Sequence, residues 1–258
     1  MRKLWVYLLR TLLFALCVAA WELGARGNPE LTEFFPPLSL IFPTAVQSIA
    51  QGELPRHLGS SLATFLKAYA LAAFIGLTGG VLLGRWRWLF HLFEPPIELL
   101  RPLPTPAMIP IAILIFGIDE SMRIAITVYA CTWPILLNTI DGVRGAEPVL
   151  IHTAHTFGAS ERQLLLKVIL RAASPQMVTG LRISLGIALI LVVTSEMIAA
   201  VDGIGFYILE TARNFEVAEM FGAVLVLALL GYLLNKTFVS LEGRAMAWYY
   251  GSKKREAR

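Results

Sequence analysis

Apolar residues fall in long runs separated by short polar stretches, and the runs are too long for the core of a soluble domain. Six of them are candidate membrane helices, at residues 4–23, 58–83, 102–117, 122–140, 178–200 and 221–239. A helix that crosses the hydrocarbon needs roughly 20 mostly apolar residues. The third run is shorter and holds Pro102, Pro104, Pro106 and Pro110. Its helix is expected to begin irregularly, because proline removes backbone donors. The pattern predicts an all-α integral membrane protein with about six transmembrane helices. It divides into a first helix with its connection (1–57), a core (58–245) and a basic tail (246–258).

Composition agrees. The chain is 57% hydrophobic and 16% charged, with a mean hydropathy of +0.67, whereas a soluble domain carries about 25% charged residues. Met1-Arg2-Lys3 before the first run could open a signal peptide. That run is long and lacks a small-x-small cleavage site before Gly27, so it reads as a retained span. Cys17 and Cys131 both lie in apolar runs and form neither a disulfide framework nor a metal motif.

The net charge of +4 changes the picture through its distribution. Six crossings leave both termini on one side. Of the 22 bases, Arg26, Arg56, Arg123 and Arg213 fall in segments on the far side. Arg10, Lys67, Arg182 and Lys236 fall within spans, and the remaining fourteen lie on the side of the termini. Cytoplasmic loops carry the excess of Lys and Arg, so the termini are expected in the cytoplasm. The basic balance then reflects topology, and nucleic acid is not an expected partner.

Gly76, Gly80 and Gly84 recur every fourth residue on the second span, a spacing that lets another helix backbone approach closely. Residues 79–84 have the glycine spacing of a phosphate loop, but Arg85-Trp86 follows where Lys-Ser/Thr is needed. A Walker site for ATP is therefore excluded on this chain. Lys67 and Glu196 are charged residues within spans. They either face a polar cavity, pair inside the bundle, or snorkel to the nearer interface. Thr127, Thr132, Asn138, Thr194 and Ser195 are further polar candidates for a solute path. Such hydroxyls also bond readily to their own helix backbones.

One polar stretch, 151–175, falls between the fourth and fifth spans, on the expected cytoplasmic side. Pro148 suits a first helical turn, so 149–157 reads as a short helix. Gly158 permits a sharp turn. Ser160 caps the next helix, with Gln163 three residues on as a partial capping box. Leu164, Leu165, Val168 and Ile169 give that helix an apolar stripe. Two short helices joined by an elbow suit either a groove on a cytoplasmic partner or an ordinary interfacial position. His152 and His155 share a face but are too few for a metal.

This stretch resembles the EAA loop of permease subunits of bacterial ATP-binding-cassette importers. The family pattern is Glu-Ala-Ala, three residues, Gly, nine residues, Ile, one residue, Leu-Pro. Ala154, Gly158 and Leu170 match it and Val168 is conservative. His152, Thr153 and Arg171 depart from it. The lost acid removes a carboxylate from any coupling contact. The lost proline implies a straighter entry into the fifth span, with Pro175 left to make the break. Glu94–Ile118, Pro134–Gly145 and Thr179–Leu189 resemble the subgroup that serves nitrate, taurine and aliphatic sulfonates. The similarity covers roughly residues 36–245.

The resemblance implies a permease in the bacterial inner membrane, with two copies enclosing a path for a small anion. Two cytoplasmic ATPases would hold ATP and Mg, an extracytoplasmic solute-binding protein would deliver the solute, and this chain would hold no cofactor and no metal. Ala154 and Gly158 would serve packing and the turn, and His155, Ala159, Ser160, Glu161 and Arg162 the docking rim. Lys67, Thr127, Thr132, Thr194 and Glu196 would be candidates for the path. An ion-driven secondary carrier is the main rival. It would show internal repeats, and none relates 1–129 to 130–258. A membrane enzyme would need a cluster of acid, base or nucleophile, and no such motif is seen.

Overall fold

In a computed structural model, residues 2–27 and 29–249 are described. Met1, Asn28 and 250–258 are not, so the bases of the expected tail (Lys253, Lys254, Arg255 and Arg258) lie outside the described residues. The described chain is helical. Five helices are long and apolar enough to cross a membrane: Leu8–Gly27 within α1 (Arg2–Gly27), α4 (Glu53–Arg85), α7 (Glu120–Arg144), the continuous run Glu161–Ala199 and α12 (Val217–Ala245). Between α1 and α4 lie the short α2 (Pro29–Phe34) and α3 (Leu38–Gln51).

The third expected span is corrected. No single helix covers 102–117. Instead α5 (Arg87–Leu100) is followed by a 3₁₀ turn, Thr105–Met108, and by α6 (Ile109–Phe116), and the two arms are bent by 88°. Pro102, Pro104 and Pro106 cannot donate to a helical ladder, and each restricts the residue before it. Pro110 sits in the first turn of α6, where the missing donor costs nothing. Alone, α6 spans roughly 12 Å, too short to cross, so a span at this point requires the bent pair as a whole.

The core is α4, α7 and α10 (Leu170–Ala199). Gly76, Gly80 and Gly84 face Ile135, Thr139 and Val143 of α7 in register. A Cβ at these glycines would stand 2.7, 2.5 and 2.8 Å from the Cβ atoms of those residues. The two backbones therefore touch, which is how helices gain dispersion energy where no hydrophobic force separates helix from lipid. On the opposite face of α4, Leu66, Leu71, Phe74 and Ile75 are exposed. So is most of α1 among the described residues; near its end Trp21 stacks on Phe35 with centroids 4.5 Å apart. Exposed apolar helix faces of this length are what lipid covers.

A second correction concerns the entry into the fifth long helix. Pro175 makes no break, and α10 runs through it. The irregularity lies earlier, in a π turn at Leu164–Ile169, where the Leu170 N–H bonds the Leu165 carbonyl five residues back.

Candidate functional site

At the end of the bundle where α7 finishes, Gly145 and Ala146 lead into α8 (Pro148–Thr156). Only Ile151 and Ala154 of this helix are half-buried, against Ala146, Leu164, Val168 and Ala173. Its other face is open: Val149 is 71% and Phe157 86% exposed, with His152 and His155 between them. Gly158 follows with φ +74°, in the left-handed region that glycine occupies without penalty. The Ala159 N–H bonds back to the Ala154 carbonyl at 3.0 Å, closing the helix end.

Ser160 then starts α9 (Glu161–Gln163). Its hydroxyl accepts from the Gln163 N–H at 3.4 Å, and the Gln163 side chain accepts from the Ser160 N–H at 3.1 Å, a reciprocal cap. Glu161 forms an ion pair with Arg85 at the end of α4, tying the elbow to the core. Arg162 is exposed. His155, Ala159, Ser160, Glu161 and Arg162 thus flank the Gly158 elbow, His155 on α8 and the others just after the turn.

The opposite end holds a buried polar cluster whose members are far apart in sequence. Glu196, near the end of α10, is fully buried. Its Oε2 accepts from the Ser61 hydroxyl at 2.8 Å and from the Gly205 N–H at 3.0 Å. Ser61 in turn accepts from the Ile204 N–H at 2.7 Å, and His57 Nδ1 from the Gly203 N–H at 3.2 Å. These three N–H groups open α11 (Ile204–Arg213), whose first turn has no intrahelical partners for them. Side chains from α4 and α10 therefore cap a third helix. Gly203 has φ +102°, and a Cβ there would run into the Glu196 carboxylate.

Arg123 of α7 completes the cluster. Its Nη1 lies 2.9 Å from Asp202 Oδ1 and 3.9 Å from Glu196 Oε1. Asp202 also accepts from the Ser60 hydroxyl at 2.8 Å. Burial pushes the Asp202 carboxyl upward, but the Ser60 hydrogen bond and the Arg123 guanidinium outweigh it and hold the group below its usual value.

The expected path residues divide. Lys67 pairs with Glu120 of α7 at 2.8 Å and stays exposed. Thr127 and Thr132 donate to the carbonyls four residues back, Arg123 and Val128. Thr132 and Thr194 are half-buried, while Thr127 and Glu196 have no exposed surface. His57, Ser61, Arg123, Asp202 and Gly205 were not singled out from the sequence. The short-range signal was Asp202-Gly203-Ile204-Gly205 just after an apolar span.

Comparison with known proteins gives the family. Residues 76–243 match the model of the family described as binding-protein-dependent transport system inner membrane component. The taurine transport system permease protein TauC of Escherichia coli is 32% identical over 79% of this chain and 74% of its own length. A protein of Bacillus subtilis named for aliphatic sulfonates transport, the permease SsuC, is 30% identical over 96% of this chain and 90% of its own. A chain of the MetNI methionine ABC transporter, solved in an inward facing conformation, superposes with a TM-score of 0.63 at 21% identity. It covers 74% of this chain and 95% of that one, a likeness of fold. With this match over residues 76–243, these relatives and five helices long enough to span a membrane beside one bent pair, the chain belongs to the binding-protein-dependent transport system inner membrane components, the permease subunits of ABC importers.

Proposed function

We propose that this permease carries a small oxyanion, of the class named for its taurine and sulfonate relatives, and is driven by cytoplasmic ATPases that grip α8. The observation that carries the proposal is the open face of α8. Val149 and Phe157 stand out at a polar end of the molecule, beside a capped elbow. An uncovered helix face, two histidines flanked by Val149 and the C-capping Phe157, is the geometry of a helix that docks into a groove. The chain holds no Walker loop of its own, so ATP and Mg belong to the partner.

In this reading two copies of the chain enclose the path, and two ATPases each receive one α8. A binding protein delivers solute at the end that carries the Glu196 cluster. The bias of Lys and Arg supports a cytoplasmic position for both termini and α8 in this reading. Movement at α8 reaches α4 through the Arg85–Glu161 pair and α10 through the continuous helix beyond the π turn. Lys67, Thr132 and Thr194 keep surface that a solute could meet.

The test is co-purification with the cognate ATPases. Phe157→Asp should abolish it while leaving the permease itself folded. Retention of the ATPases by that variant would refute the docking face.

A further inference from the structure

A 380 Å³ cavity lies between α10 and the last turns of α12, at the same end as α8. Its polar wall is Gln176, Thr179 and Arg182 from α10 and Glu242 from α12, with Tyr249 at the edge. Arg182 donates from Nη2 to Glu242. The two partners are unequally buried: the Glu242 side chain is 9% exposed and that of Arg182 45%. Both line the cavity, and the guanidinium is the more exposed of the two.

A guanidinium has five N–H donors in a planar fork. Glu242 engages Nη2 and holds the plane in place, which leaves other donors for a second acceptor. That is the arrangement in which arginine takes an oxyanion in two parallel hydrogen bonds. Thr179 donates its hydroxyl proton to the Pro175 carbonyl at 2.8 Å, so the amide of Gln176 is the neutral donor at hand. Cavities of about 300 Å³ and above hold small organic ligands.

We infer that this cavity is a site for a small oxyanion, bound by Arg182 with Glu242 as its orienting partner. Two sources share that chemistry: the sulfonate or carboxylate of a transported solute, and the phosphate of an anionic lipid. The solute arm rests on the permease reading above. The binding itself does not.

The test uses the full chain with its ATPases in nanodiscs, without nucleotide. Unfolding temperature is followed against millimolar ethanesulfonate in phosphatidylcholine discs, and against rising phosphatidylglycerol in a second series. The wild-type protein should gain a few degrees from at least one probe, Arg182→Gln should gain nothing, and Arg10→Gln should behave as wild type. A response to ethanesulfonate identifies a solute site, and a response to phosphatidylglycerol alone a lipid site. Equal responses of wild type and Arg182→Gln to both probes would overturn the inference. Should Arg182→Gln fail to assemble, Gln176→Leu keeps the ion pair. It should weaken the responding probe about fivefold, the worth of one hydrogen bond, and an unchanged response would overturn the inference equally. Loss of ATPase docking with intact binding would count against the coupling reading alone.

Discussion

Ser61 of α4 and Glu196 of α10 are 135 residues apart in sequence and 2.8 Å apart in space, and both cap α11. Removing the carboxylate leaves the Gly205 N–H and the Arg123 guanidinium without it in a buried place. Breaking one side of such a network costs about 3–5 kcal/mol. Glu196→Ala should therefore unfold well below wild type in detergent, with Glu196→Gln between the two because its carbonyl still accepts. Equal melting temperatures for Glu196→Ala and wild type would mean that α11 is held by other contacts.

Asp202 gives the cluster a pH dependence with a defined sign. Its folded pKa is lowered, so its contribution is fully present above the unfolded value. That contribution is lost as the pH falls through the folded one, below roughly pH 4. Asp202→Asn should be less stable than wild type at neutral pH, and the gap should close in acid. A gap that stayed constant from pH 7 to pH 3 would contradict the Arg123–Asp202 and Ser60–Asp202 assignments.

The glycine stripe on α4 predicts a contrast between two glycines. A Cβ at Gly80 would meet Thr139 and the Leu136 carbonyl, whereas one at Gly186 would meet nothing within 4 Å. Gly80→Val should force α4 from α7 at a cost of about 1–3 kcal/mol or more. Gly186→Ala should be neutral or slightly stabilising, since alanine is the better helix former. Thermal unfolding of the two variants side by side reads the difference directly.

The π turn explains how Leu164 and Ile169 are both buried in one cluster. Five residues apart on an α-helix they would point roughly 140° apart, but a turn closed by bonds to the fifth residue stacks them. Deleting the exposed Leu166 should convert the turn to α with both side chains still inward, so folding and ATPase co-purification should survive. Inserting one alanine after Leu166 should swing α8 by about 100° around the helix axis and abolish co-purification. Loss of docking in the deletion, or its survival in the insertion, would refute this register.

Long spans, the Gly158 elbow and the Ser160–Gln163 cap were legible because each depends on neighbours within a turn or two. So was the four-residue recurrence of Gly76, Gly80 and Gly84. The bent pair was only half legible. The prolines announced an irregular start, but proline spacing alone fixes neither the 88° angle between the arms nor the partner arm, α5. The roles of Glu196, Ser61 and Arg123 were hidden for a different reason. A carboxylate in a span looks the same in sequence whether it snorkels, lines a path or caps a distant helix. Only the approach of Gly203 and Gly205 separates these possibilities. The shift of the break from Pro175 to the π turn was likewise invisible, since an extra residue in a helix leaves no compositional mark.

The most direct measurement is solute uptake into proteoliposomes that hold this chain, its ATPases and the binding protein, comparing wild type with Gly158→Val. Valine at φ +74° is strained by roughly 1–3 kcal/mol, enough to displace the elbow without unfolding the spans. Wild-type uptake should require ATP, and the variant should hydrolyse ATP while accumulating little solute. Uphill uptake driven by an ion gradient without ATPases, or full coupling in Gly158→Val, would contradict the account.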